Sequence, residues 1–162
     1  MTGKGSLNHN SRKFHAKNTD PNRTHWNVEY CNEDIKDVYH ELFDDALKRY
    51  NDKQTRKDRK IDDYYEKIRS GKQEKLFHEV ILQIGDKDNM GSETMEGQLA
   101  AKILDEYMKG FQERNPTLRV FAAHLHLDEA TPHLHIDFIP YVTGSKRGLD
   151  TRAVSYTHLR AH

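Results

Sequence analysis

With 162 residues, 35% hydrophobic side chains, 26 Lys and Arg against 26 Asp and Glu, 11 His and one Cys, the chain has the size of one domain and can bury a core without disulfides or a structural metal. A mean hydropathy of -1.00 and no apolar run of about 18 residues exclude a membrane span, the N-terminus lacks a signal-peptide core, and the lone Cys31 excludes a disulfide framework and a Cys-rich zinc site. The expected location is the cytoplasm, and zero net charge is not the basic footprint of a typical nucleic-acid-binding domain.

The charge is unevenly spread. Residues 1–31 carry five bases (Lys4, Arg12, Lys13, Lys17, Arg23) against two acids (Asp20, Glu29), a basic arm of net +3. Glu33 to Asn51 places Ile35, Val38, Tyr39, Leu42, Phe43, Ala46, Leu47 and Tyr50 on one helical stripe, with Asn32 as the expected N-cap. Arg56 to Ser70 repeats the spacing with Ile61, Tyr64, Tyr65 and Ile68, and Gly71 is a natural stop. The interleaved charges from Asp52 to Lys60 read as a solvated helix face, with a DNA-backbone role for Lys53 to Lys60 as the lesser reading. Lys75 to Ile84 is strand-like, and Gly85 to Gly91 is a polar turn. Ser92 to Arg114 reads as a third helix, in which Met95, Leu99, Ile103, Tyr107 and Phe111 advance by fours beside Ala100, Leu104 and Met108, all taken as core, until Asn115-Pro116 ends it. Leu118 to Leu127 and His133 to Val142 form an expected antiparallel hairpin joined by Asp128 to Pro132. The mixture predicts an α+β fold, an antiparallel β-sheet with packed helices.

Four histidines (His124, His126, His133, His135) fall within twelve residues, where an even spread places about one. Side chains alternate across a strand, so His124 and His126 share one face, with Phe121, Ala123, Leu125 and Leu127 on the other. His133, His135 and Asp137 likewise share a face opposite Leu134, Ile136 and Phe138. If the hairpin aligns both polar faces, three or four imidazoles converge over a sheet whose other face is core, which is a metal site with open positions for water or substrate. Ligand type favours Zn, Fe, Cu or Ni, admits Mn and suits Mg less. Asp137, Asp128 and Glu129 are candidates to orient an imidazole or move a proton.

The segment from His126 to His135, with Asp128, Glu129, Pro132 and His133 between, resembles the H-x-D-E-x-x-P-H-x-H motif of the MobV (Pre/Mob) plasmid mobilisation relaxases, members of the HUH endonuclease superfamily. His9-Asn10-Ser11-Arg12 resembles the family's H-N-x-R motif, and Asn18, Asp20, Arg23 and Asn27 resemble its N-x-D-x-x-R-x-x-x-N motif. The likeness spans roughly residues 6 to 152. It implies a metal-dependent enzyme that nicks one strand at a plasmid transfer origin and forms a covalent protein–5′-phosphate link. The implied metal ligands are His126, His133 and His135, holding Mn²⁺ or Mg²⁺, with Zn²⁺ open. The implied nucleophile is His9, with Arg12 holding phosphate oxygens in a bidentate grip and Glu129 as base or partner. Asn10, Asp20, Arg23 and Asn27 are the implied DNA-binding or arm-positioning residues. The implied partners are single-stranded or supercoiled plasmid DNA and conjugation machinery, with no membrane contact.

Two other readings carry mechanisms of their own. Tyr64-Tyr65-Glu66-Lys67 resembles the Y-x-x-K motif of rolling-circle replication initiators, but precedes the histidines instead of following them, and Tyr30 is a weaker nucleophile candidate. A three-His zinc hydrolase acting on a small molecule would need an enclosed pocket. Residues 1–152 are expected to be an incomplete relaxase domain with a short or absent leading strand, and residues 153–162, with His158 and His162, a non-native tail.

Overall fold

The two strands with the clearest alternation form the centre of the sheet. The computed structural model describes residues 2–3 and 6–156; His158 and His162 lie outside the described residues. In chain order the elements are β1 (Thr2–Gly3), α1 (Leu7–Asn10), β2 (Val28–Asn32), α2 (Ile35–Asp52), α3 (Tyr64–Ser70), β3 (His78–Gln83), α4 (Met95–Lys109), α5 (Phe111–Arg114), β4 (Leu118–His126), β5 (His133–Val142) and β6 (Arg152–Ala153). The sheet is antiparallel in the order β1-β3-β5-β4-β2, and β6 pairs with β5. This is the expected α+β architecture. The leading strand is two residues long, and Ala153 to Tyr156 continue against the sheet, with Ala153 buried beside α3 and Tyr156 edge-on to Phe138. Among the described residues no helix is long and apolar enough to cross a membrane.

Each face of the sheet carries its own core. Val80, Val120, Ala123, Leu125, Leu134, Ile136 and Phe138 pack with Leu104, Met108 and Phe111 of α4 and α5. On the opposite face, Phe121, Ala122 and Ile139 meet Val38, Tyr39, Phe43 and Ala46 of α2 with Tyr64 and Ile68 of α3. That second core covers only one end of its face. The other end carries the histidines. Phe121 was expected to point away from them. A register shift between Val120 and Ala122 turns Phe121 onto the histidine face, where it closes the boundary with the α2 core.

Three helix expectations are corrected. Asp34, not Asn32, caps α2, its carboxylate accepting from the Lys36 and Asp37 amides, because Asn32 is still paired in β2. The helix expected from Arg56 is a 3-10 turn at Lys57–Arg59 followed by α3, since Asn51 fixes Ile61 by two side-chain bonds (2.7 and 2.9 Å) and Asp63 restarts the helix as N-cap. The helix expected over Ser92–Arg114 is α4 and α5, broken at Gly110, and its Met95, Leu99 and Ile103 row faces outward while Ala100, Leu104 and Met108 face the sheet. Gly97 makes this packing feasible: a Cβ there would sit 1.9 Å from the Gly91 carbonyl oxygen. The loop so held brings Ser92 Oγ to donate to the Glu129 carbonyl at 3.3 Å, steadying the β4–β5 connection.

Candidate active site

Direct register pairs His126 with His133 and His124 with His135, so the two-residue strand period brings the imidazoles together. Ring centroids of His126, His133 and His135 lie 4.7–5.2 Å apart, and one nitrogen from each falls within 4.8 Å of the others. Two nitrogens each bound at about 2.1 Å to one ion are separated by no more than about 4.2 Å, so small ring rotations suffice to close the nest. The remaining nitrogens are already occupied. His126 Nε2 donates to the Asn10 carbonyl at 2.8 Å, His133 Nδ1 to the Thr131 carbonyl at 2.9 Å, and His135 Nδ1 to Glu79 at 3.3 Å. Such outer bonds fix which nitrogen is free to bind a metal. His126 Nδ1 and His135 Nε2 are buried and have no hydrogen-bond partner among the described residues, while His133 Nε2 faces Glu129 at 3.5 Å. The donor set fits a divalent transition-metal ion.

Electrostatics favour neutral rings at His126 and His135, and the charged form at His133. Burial pushes His126 down to about 3, helped by His135, Arg12 and His133, against the pull of its Asn10 bond. His135 is lowered by burial, with Glu79 opposing. Burial also disfavours the charged form of His133, but Glu129 and the Thr131 carbonyl outweigh it and raise the ring. His124 stands apart, its Nε2 on Glu29 at 3.0 Å and its ring 6.1 Å from His126.

The nucleophile candidate reaches this nest from α1. Four residues are too few to hold a helix by internal bonds, and its ends are fixed individually. Ser6 caps it through the His9 amide at 3.3 Å, and Arg12, just past its end, adopts a left-handed φ of 55° where glycine is usual. That conformation is held by the Arg12 guanidinium, whose Nε and Nη2 grip Asp128 while Nη2 also reaches Glu129 at 2.8 Å and Nη1 the His9 carbonyl at 2.9 Å. The fork expected to hold phosphate is thus filled by the chain's own carboxylates, its side chain only 8% exposed. Burial works against ionising Asp128, but Arg12, Asn27 and Thr24 hold it down to about 2. Glu129, opposed likewise by burial, is held down to about 2 by His133 and Arg12.

Glu129 lies between the two halves of the site. Its Oε1 is 3.4 Å from His9 Nε2 and 3.9 Å from His126 Nδ1, and its Oε2 accepts from Asn18 at 3.1 Å. Arg12 Nη1 is also 3.2 Å from His9 Nε2. Arginine only donates and an ionised carboxylate only accepts, so a neutral His9 satisfies one at a time: donating from Nε2 to Glu129 leaves the lone pair on Nδ1, whereas accepting from Arg12 uses the Nε2 pair and puts the proton on Nδ1. The His9 ring is 6.0 Å from His126, edge-on, and partly open to solvent.

The other residues of the arm bind the chain to itself. Asp20 accepts from Arg23 at 3.1 Å, Arg23 donates to the Leu127 carbonyl at 3.1 Å, and Asn27 accepts from the Leu127 amide at 2.7 Å. Asn10, expected among DNA contacts, is 2% exposed and donates its side-chain amide to Glu79. Glu79 itself escaped the sequence reading. Its signal was a carboxylate directly before the apolar run Val80 to Leu82, facing Asp137, which burial and the Glu79 charge push toward the protonated form.

The alternative nucleophiles are engaged elsewhere. Tyr64 is buried against Phe43 and its hydroxyl accepts from the Ala153 amide at 3.0 Å, Tyr65 packs on Tyr39, and Tyr30 packs with the opposite core and donates to Asp105. Beside the nest lies an open groove of about 330 Å³ lined by His9, Asn18, Gln83, Glu129, His133 and His135, rather than an enclosed small-molecule pocket.

A solved structure of the MobM relaxase domain (MOBV; Mob_Pre), Mn-bound and bound to a 22-nt plasmid pMV158 oriT DNA at pH 5.5, is similar to this chain at 28% identity and a TM-score of 0.52. The match covers 86% of this chain and 64% of that one. The same domain with the same DNA at pH 4.6 is similar at 27% identity and a TM-score of 0.48, with the same coverage. No curated protein matches the chain. The family described as plasmid recombination enzyme (Mob_Pre) matches residues 4–158, and the chain belongs to it.

Proposed function

We propose that this chain nicks one strand of DNA at a plasmid transfer origin by attack of His9 on the scissile phosphate, with a divalent ion held by His126, His133 and His135. The observation that carries the reading is the convergence of three imidazole nitrogens, two of them buried and without a hydrogen-bond partner among the described residues, beside a fourth histidine on the groove wall. Mn-bound, DNA-bound relatives of the same family support Mn²⁺ as the ion and transfer-origin DNA as the substrate. The ion would supply Lewis-acid charge to a phosphate oxygen.

The protein's own residues account for the rest. A neutral imidazole attacks phosphorus through its lone pair without first losing a proton. The P–N bond forms as the P–O3′ bond breaks, and the other ring nitrogen then gives up a proton equal to the one the 3′ oxygen gains. The products are a 5′-phosphate on His9 and a free 3′ hydroxyl, and the reverse attack rejoins the strand. Glu129 stays ionised at neutral pH and orients His9 as an acceptor. Arg12 holds α1 and the β4–β5 connection together, with Asp20, Arg23 and Asn27 extending that fastening. Lys13 and Lys17 are exposed on the same arm, where phosphate is neutralised locally despite the zero net charge.

The test is incubation with supercoiled plasmid bearing a transfer origin of this family, with and without Mn²⁺. Open circles carrying protein on the 5′ end are expected only with the ion. Nicking that persists unchanged in His9→Ala would overturn the nucleophile assignment, and nicking that persists in His133→Ala would overturn the metal site.

A further inference from the structure

Asn10 follows His9 directly, and its backbone carbonyl and side-chain amide nitrogen are committed behind the nitrogens proposed to bind the metal. Its carbonyl accepts from His126 Nε2 at 2.8 Å, and its side-chain amide donates to Glu79 Oε2. That same Glu79 oxygen accepts from His135 Nδ1 at 3.3 Å. Both residues are buried, Asn10 at 2% and Glu79 at 5% exposure. A carboxylate in an interior strand is costly unless its lone pairs are used, and the bonds this one accepts come from a metal-site histidine, from the residue beside the nucleophile and from the Asp137 carboxyl.

We infer that Asn10 and Glu79 form a positioning bridge through which the metal-binding histidines and the nucleophile-bearing helix fix one another. The inference rests on the roles proposed above for His9 and the three histidines. His126 holds the Asn10 backbone, His135 holds the Asn10 side chain through Glu79, and the step along α1 from Asn10 to His9 is about 1.5 Å, so a displacement of one is passed to the other. A cation on His126 Nδ1 and His135 Nε2 makes the opposite N–H groups stronger donors, which tightens their bonds to Asn10 and Glu79. Coupling is reciprocal: an anchored α1 favours metal binding, and a bound metal steadies α1. Asn10 and Glu79 are positioning residues, since neither faces the groove.

The experiment uses the whole chain with Mn²⁺ alone as probe, after thermal melts show that each variant folds without metal. Calorimetric titration is expected to show Glu79→Gln, which keeps the shape and removes the charge, weakening Mn²⁺ binding about 10–100-fold. Asn10→Ala leaves Glu79 on His135 and is expected to weaken binding less. Hydrogen exchange supplies the readout that a merely structural role would not move. Mn²⁺ slows exchange of the α1 amides in the wild-type chain and loses that effect in Asn10→Ala. In the double variant, the loss of affinity should fall short of the product of the two single losses, because both act through one bridge. Wild-type Mn²⁺ affinity in Glu79→Gln together with retained α1 protection in Asn10→Ala overturns the bridge while the metal site stands. If the wild-type chain binds no Mn²⁺, the metal reading falls and the bridge with it. Should Glu79→Gln not fold, Asn10→Ala decides alone.

Discussion

The β4–β5 hairpin and the N-terminal arm build the two halves of one site by opposite means. In the hairpin, position comes from regular structure: register pairs His126 with His133, and strand alternation points His135 the same way over a packed core. In the arm, α1 is four residues long, is followed two residues on by a left-handed arginine, and owes its place to side chains that reach across the fold to Asp128, Glu129, Leu127 and Glu79. One half is shaped by its own backbone, the other is fastened. Changes in the hairpin should therefore abolish a function while the fold survives, and changes in the arm should alter stability and positioning together.

The largest effect expected is on metal binding. His133→Ala removes a proposed ligand, so calorimetry should register no tight Mn²⁺ binding while the melt of the metal-free chain stays cooperative; tight binding retained would mean that the hairpin is not the metal-holding half. Next is Arg12→Ala, which leaves buried Asp128 unpaired and should cost about 3–5 kcal/mol in urea unfolding. A loss below 1 kcal/mol on the order of a surface pair would show that the arm is not fastened there.

Acid should release the same fastening more gently. Asp128 ionises at about 2 in the folded chain against an ordinary 3.8, so its contribution is complete above that ordinary value and is lost as pH falls through about 2. The loss, about 2 kcal/mol, should be measurable in the metal-free chain and absent from an Asp128→Asn variant. Smallest is Asn27→Ala, which removes the acceptor for the Leu127 amide and should cost about 1 kcal/mol by denaturant titration. A neutral result there would confine the fastening to Arg12 and Arg23.

The same contrast decides what could be read in the sequence. The hairpin was legible because period-two alternation is a local signal: β5 spans His133–Val142 as expected, and its histidines share a face. The arm was legible only as motifs. Its partners lie far off in sequence, Asp128 being 116 residues from Arg12, so nothing local tells that Arg12 meets Asp128 instead of phosphate. β2 went unread because it is an edge strand whose residues are exposed or half-buried, without apolar alternation. Phe121 was misplaced because a one-residue bulge inverts every side chain beyond it. The outward row of α4 was misread because two adjacent apolar rows fit one helix, and only the sheet's position selects Leu104 over Leu99 and Ile103.

The most direct test of the central claim is the location of the covalent link. Wild-type chain, Mn²⁺ and a single-stranded transfer-origin oligonucleotide would be mixed, digested at neutral pH to preserve an acid-labile P–N bond, and mapped by peptide mass spectrometry. A 5′-phosphonucleotide is expected on the peptide containing His9, absent when His9→Ala is used. A link on Tyr30, Tyr64 or Tyr65, or on no residue while nicking proceeds, would contradict it.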